Sequence, residues 1–185
     1  MQNHSTYQSG YFRDDVVQVP GHEGQFPDVE EYLTLVRESD AALSVLFNYF
    51  SQNDEPTIIC IFGDHQPAID VAYYETYFGI TQAEFTPAEA TKMFEVPFLI
   101  WANYDIEEET EIITSMNYLS AILFEKTGIT CTPYQSYLLQ LRESIPVICQ
   151  QGYMDYNGNF YSGNGNEDLP VELKEYWGLE YHKIL

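Results

Sequence analysis

The sequence predicts an α/β fold: a central, mostly parallel sheet flanked by helices, with a β-hairpin towards the C-terminus. Three stretches carry that expectation. Thr57–Phe62, Thr-Ile-Ile-Cys-Ile-Phe, is a continuous apolar run rich in β-branched residues, the pattern of a strand buried on both faces. Ahead of it, Val29, Leu33, Val36, Leu43, Phe47 and Phe50 recur at helical spacing over about six or seven turns. Near the end, Asn157-Gly158 is the pair favoured in two-residue hairpin turns, and aromatic strand-like runs flank it.

The elements follow in order. Residues 1–27 are rich in turn formers and aromatics, and Val16–Val19 is at most a short edge strand. Asp28 is the expected cap of the long helix, with Glu31 three residues on completing a capping box. That helix ends near Gln52, and Asn53-Asp54-Glu55-Pro56 turns the chain into the apolar strand. Val71–Phe78 is a short aromatic helix stopped by Gly79. Thr86-Pro-Ala-Glu89 opens another, which must be brief because Val96–Ala102 is the second strong strand candidate. The acidic run Asp105–Glu111 has the look of a solvated face, with no calcium-loop spacing.

Ser115–Thr127 forms a helix with Tyr118, Leu119, Ile122 and Leu123 inward, and Gly128 ends it. Thr132-Pro-Tyr-Gln135 starts the next by capping-box logic. Tyr134, Leu138 and Leu141 supply its buried stripe, and Pro146 stops it. Residues 162–185 are expected to form a polar linker followed by a terminal helix from about Pro170. One domain spanning 1–185 suits a chain of this length.

Composition narrows the function classes. An apolar fraction of 45% with 16% aromatic residues is that of a globular chain. Seven basic against 29 acidic residues leave a net charge of −22, too little positive charge to neutralise phosphates, so nucleic acid is excluded as a partner. No stretch approaches the roughly 20 uninterrupted apolar residues of a membrane helix. The first residues have neither a basic nor an apolar leader pattern, so a soluble chain without signal peptide is expected. Cys60, Cys131 and Cys149 match no zinc or redox spacing. Cys60 lies within the apolar strand as a small hydrophobe, and a pairing of Cys131 with Cys149 is open but not required.

Chemistry concentrates where the apolar strand stops. Gly63 ends it, Asp64 and His65 follow, and Pro67 breaks any continuation. Ligands of α/β sheets bind just beyond the carboxyl ends of strands, and a carboxylate beside an imidazole there can hold a cation. Asp after Gly is also ordinary turn chemistry, and two ligands are fewer than a complete site. His4 and His22 are lone loop histidines, and His22 has no assignment. Asp155, Asn157 and Asn159 alternate like a calcium loop, but Phe160 and Asn166 stand where such a loop needs Gly and Glu. No dinucleotide fingerprint, P-loop or nucleophile elbow occurs.

Ile-Phe-Gly-Asp-His-Gln-Pro, residues 61–67, resembles the second metal motif of the lipoteichoic-acid-synthase-type sulfatases, or phosphoglycerol transferases, of the alkaline phosphatase superfamily. The opening Met-Gln-Asn-His-Ser-Thr-Tyr is similar to the Asn-His segment preceding that motif. Glu95–Asn103 is similar to the next core strand. The resemblance runs from Met1 to about Tyr161. It implies a partial alkaline-phosphatase-like fold, with Asp64 and His65 as metal ligands and His4 as a phosphate contact. It further implies a divalent cation, typically manganese, and a phosphate- or sulfate-ester substrate attacked through a covalent threonine intermediate. The parent enzyme would be anchored in the membrane with its catalytic domain outside the cell. No threonine here matches the family's nucleophile motif, and no upstream Glu ligand is present. The expectation is therefore the C-terminal portion of such an enzyme, with no catalytic nucleophile of its own and little activity alone. The other expectation is a non-catalytic acidic α/β domain that binds a partner, or forms a homo-oligomer through an open sheet edge.

Overall fold

The computed structural model describes Tyr7, residues 15–163 and residues 169–184. Contacts divide the chain into two units, Met1–Asp105 and Ile106–Leu185.

The first unit is organised by helix α1, Pro27–Ser51. Proline at the first helical position fixes the start one residue earlier than the expected cap, because its φ is pre-set and it has no N–H to satisfy. Phe26 is therefore the N-cap and makes no side-chain capping bond. Asp28 lies inside the first turn, where its Oδ2 accepts from the Asp70 backbone N–H at 3.1 Å. The Asp28–Glu31 capping box does not form.

Three polar side chains of the first two turns are buried: Glu30, Glu31 and Thr34. Glu30 Oε1 accepts from the Gly24 N–H at 2.7 Å and from the Val19 N–H at 3.4 Å. Thr34 Oγ1 accepts from Val17 N–H at 2.9 Å and donates to the Glu30 carbonyl at 2.7 Å. The helix thereby satisfies donors that a strand would have offered to a neighbour, and Val16–Val19 is coil against α1, not an edge strand. Val19, Phe26 and Val29 form the core here, with Leu33, Ile69 and Tyr73 packed onto them. Full burial of a side chain such as Val29 contributes about 1.5–3 kcal/mol.

The C-terminal half of α1 is different. Val45, Leu46 and Tyr49 are exposed, and Phe47 packs on Trp101 at 5.2 Å between ring centres. Trp101 belongs to strand β2, Phe98–Ala102, which pairs with β1, Ile58–Phe62. The pairing is antiparallel, Ile58 opposite Ala102 and Phe62 opposite Phe98. An α/β fold is present, but the mostly parallel arrangement is not seen among the described strands. Residues 63–97 leave and re-enter the sheet at adjacent strand ends, so no crossover over the sheet is needed. Nor is β1 buried on both faces. It is half-buried, Phe62 is 50% exposed, and Leu99 across the pair is 46% exposed.

Asn103 closes the far end of the pair. Its Oδ1 accepts from Thr57 N–H at 2.8 Å, and its Nδ2 donates to the carbonyls of Phe50, Asn53 and Glu55. One side chain thus ties the last turn of α1 to the loop entering β1. Within the excursion, α2 is Val71–Phe78 and α3 is Pro87–Lys92. The Thr86–Glu89 capping box forms as the spacing predicts.

The second unit holds α4, Leu119–Thr127, and α5, Pro133–Ser144. Three short strands follow: β3, Val147–Cys149; β4, Gly152–Met154; and β5, Phe160–Ser162. Helix α6, Val171–Ile184, ends the described chain. Tyr118, Ile122, Leu138, Leu141, Ile145 and Leu173 make its core. Strand β3 was not expected from the sequence. It joins β4 through Gln150-Gln151, with Cys149 opposite Gly152, and neither glutamine is a turn signal. The β4–β5 turn is longer than the two-residue turn expected. Gly158 N–H donates to the Asp155 carbonyl and Asp155 N–H to the Asn159 carbonyl, leaving three residues in the loop. Gly152 has φ 151°, and a Cβ there would lie 1.9 Å from the Tyr161 carbonyl oxygen, so only glycine fits.

The acidic run is not wholly solvated. Lys126, whose side chain is 9% exposed, contacts Glu109 at 3.1 Å and Glu107 at 3.8 Å. All three cysteines are free thiols, and burial raises the pKa of Cys60. No helix among the described residues is long and apolar enough to cross a membrane.

Tyr118 donates its hydroxyl to the Ile145 carbonyl at 2.7 Å, and burial pushes its phenol far above the ordinary value of 10.0. The folded chain therefore keeps this proton at pH values where the unfolded chain releases it. The stability it contributes is present below about pH 10 and is lost as the pH rises further. Urea midpoints should hold steady up to about pH 10 and fall above it. Tyr118→Phe should make that alkaline slope shallower and cost roughly 1–3 kcal/mol at neutral pH, because a buried carbonyl loses its donor.

Candidate metal centre at the exit of strand β1

The site begins with a close approach. Gly63 donates its N–H to the Pro97 carbonyl at 3.0 Å, which extends the β1–β2 pairing by one step. A Cβ at Gly63 would stand 2.9 Å from Val96 Cβ and 3.2 Å from its Cγ1. The chain can turn out of the sheet at this point only because the residue has no side chain.

Asp64 and His65 come next, and both are exposed, their side chains 80% and 57% accessible. Asp64 Oδ1 accepts from the His65 backbone N–H at 3.0 Å, which orients the carboxylate. His65 Nδ1 lies 2.8 Å from the Gln66 carbonyl oxygen. A carbonyl can only accept, so Nδ1 carries the hydrogen and Nε2 of the neutral ring presents its lone pair. Nε2 faces Asp64 Oδ2 at 3.7 Å. Two ligands each about 2.1 Å from one ion can stand up to about 4 Å apart, so the pair fits a shared cation. A carbonyl that fixes the tautomer of a ligating histidine is the usual outer support of such sites.

The loop is held at three points. Gly63 binds Pro97, the Gln66 side-chain amide donates to the Glu95 carbonyl, and Asp70 N–H donates to Asp28. Asp70 also caps α2, its Oδ1 accepting from Ala72 N–H at 2.9 Å. Ile69 and Tyr73 pack on the Val19–Phe26–Val29 core, with Tyr73 edge-on to Phe26 at 5.5 Å.

The structure therefore brings Asp64 and His65 together at the strand exit, where the sequence puts them. His4 lies outside the described residues. His22, unassigned from sequence, bonds Gln25 Oε1 through Nδ1 at 2.9 Å and lies against Phe26, which makes it a loop-forming residue. Among the described residues no three or more His, Cys, Asp or Glu side chains stand close enough together to hold an ion. Sequence reasoning missed Gln66 and Asp28 as loop anchors. Gln66 had a signal in its place between His65 and Pro67, whereas Asp28 had only a misleading one, as a helix cap.

Comparison with known proteins points to the sulfatases. The sulfatase domain matches residues 1–129, and the chain belongs to the sulfatase family. The Streptococcus pyogenes phosphoglycerol transferase GacH, solved in complex with sn-glycerol-1-phosphate, superposes with a TM-score of 0.58 at 18% identity over 96% of this chain and 39% of GacH. A Rhizobium meliloti (strain 1021) protein named for cyclic beta-1,2-glucan modification is 24% identical over 190 residues, covering 98% of this chain and 29% of that protein. The chain thus spans less than half the length of either.

The tight contact at Gly63 has a direct test. Gly63→Ala should destabilise the chain by roughly 1–3 kcal/mol, since the new methyl overlaps Val96. Val96→Gly removes the overlapping atoms, so the double variant should recover part of that loss in a urea-unfolding cycle.

Proposed function

We propose that this chain is a portion of a metal-dependent phosphoglycerol transferase or sulfatase-type enzyme, and that it contributes Asp64 and His65 to a divalent cation site. The observation carrying this reading is the His65 Nε2 to Asp64 Oδ2 separation of 3.7 Å at the end of β1, with the tautomer held by Gln66. Family membership and the likeness to GacH add their support.

Manganese is the metal favoured by the resemblance, and the substrate is a phosphate or sulfate ester. Such a cation supplies charge neutralisation at the ester oxygens and activates a hydroxyl nucleophile. Within this chain, Asp64 brings the negative charge and His65 the neutral nitrogen, while Gln66 keeps the ring from turning away. His4 would meet the phosphate group. The nucleophilic threonine, which would form a covalent intermediate, and the remaining ligands would come from sequence beyond these 185 residues, for the relatives are longer. The parent would act outside the cell from a membrane anchor.

Titration with manganese, followed by the electron paramagnetic resonance signal of the free ion, tests the site. The 185-residue chain should bind one ion weakly, and Asp64→Ala with His65→Ala should abolish binding. Hydrolysis of a phosphate-ester substrate by this chain with manganese should stay at background. Robust turnover would contradict the placing of the nucleophile elsewhere.

A second reading is favoured by one observation. Val45, Leu46, Tyr49, Phe62 and Leu99 are exposed apolar residues on α1, β1 and β2. A non-catalytic acidic α/β domain could pair through that sheet edge with a partner or a second copy. Under this reading, light scattering at increasing protein concentration should show a dimer or larger species. A strict monomer throughout the range counts against self-pairing.

A further inference from the structure

We infer that Asp28, in the first turn of α1, is a positioning residue for the Asp64–His65 pair. This rests on the reading of that pair as cation ligands. The near end of the loop is fixed to the sheet at Gly63 and its middle to the Glu95 carbonyl through Gln66. From Pro67 onwards, the Ile69 N–H to Pro67 carbonyl bond only closes the loop on itself. Ile69 then packs on the Val19–Phe26–Val29 core, and the next backbone hydrogen bond to another element is at Asp70, whose N–H donates to Asp28 Oδ2.

Asp28 is free for this because proline, not a carboxylate, begins the helix. The same end of the helix carries Glu30 and Thr34, which hold residues 17–24. The first two turns of α1 therefore anchor both the segment that follows the Asn-His motif and the far end of the Asp-His loop. Asp28 reaches no ligand atom. Its action on the pair passes through Asp70 and the loop backbone.

Three forms of the full chain decide the matter: the wild type, Asp28→Ala and Asp28→Asn. Manganese is the probe, and folding is checked by circular dichroism. Asp28→Ala removes the acceptor and should weaken manganese binding about threefold to tenfold, the loss of one hydrogen bond. Asp28→Asn keeps an amide oxygen facing Asp70 N–H and should bind nearly as the wild type does. Nitrogen-15 relaxation of the Asp64 and His65 amides should show greater mobility in Asp28→Ala only. Should Asp28→Ala fail to fold, Asp70→Pro removes the donor instead, at a φ of −62° that proline accepts, and Asp70→Ala, which keeps the N–H but loses the same α2 cap, is its control. Equal affinity and equal amide mobility in wild type and Asp28→Ala would overturn the inference alone. So would Asn weakening binding as much as Ala, which would assign the effect to charge. No manganese binding by the wild type would overturn the cation reading and this inference with it.

Discussion

The antiparallel contact between β1 and β2 is the constraint on which the candidate site depends. Because Phe62 pairs with Phe98 and Gly63 bonds Pro97, the chain leaves and re-enters the sheet side by side. The segment between them is a closed excursion, so a carboxylate and an imidazole can be held at its root without support from a long crossover. Glycine at 63 is the condition for that closure, since any side chain there meets Val96. Downstream, the apolar packing of Ile69 and Tyr73 does what a sheet neighbour would otherwise do: it stops the excursion from swinging.

Buried polar groups decide how the N-terminal segment lies. Glu30 and Thr34 accept from backbone N–H groups of residues 17–24, and leaving such donors unpaired would cost about 1–3 kcal/mol each. These bonds explain why a run with strand-like composition is not a strand. They also explain why α1 is polar on the face where the sequence suggests an apolar stripe alone. Of its stripe, Val29 lies in the core, Leu33, Leu43, Phe47 and Phe50 are half-buried, and Val36 is open to solvent.

Much of this was legible in the sequence, and for identifiable reasons. The strand at Ile58–Phe62, the capping boxes at Thr86 and Thr132, and the helix ends at Gly79 and Gly128 all rest on local chemistry that the surrounding structure leaves in place. The Asp64–His65 pair was legible because the two residues are adjacent and follow a strand end. What was not legible is non-local. Strand direction depends on how residues 63–97 return, and the periodicity of β1 is the same for either direction. β3 was hidden because Gln150-Gln151 has no turn signature, its geometry being set by the Gly152 approach to Tyr161. Asp28 carried a valid cap pattern, but Pro27 moved the cap two positions back, to Phe26. The partner it took instead, Asp70, is distant in sequence.

The near-burial of Lys126 has an electrostatic consequence. With seven basic residues in all, committing one of them to Glu107 and Glu109 leaves few positive side chains to offset the remaining carboxylates at the surface. The molecule therefore gathers a cloud of counterions, and divalent ions concentrate in that cloud more strongly than monovalent ones. Any cation-binding loop on such a body works in a locally enriched bath. Even a two-ligand grip can then see an effective ion supply above that of the bulk, an advantage that rising ionic strength erodes within a Debye length of about 8–10 Å.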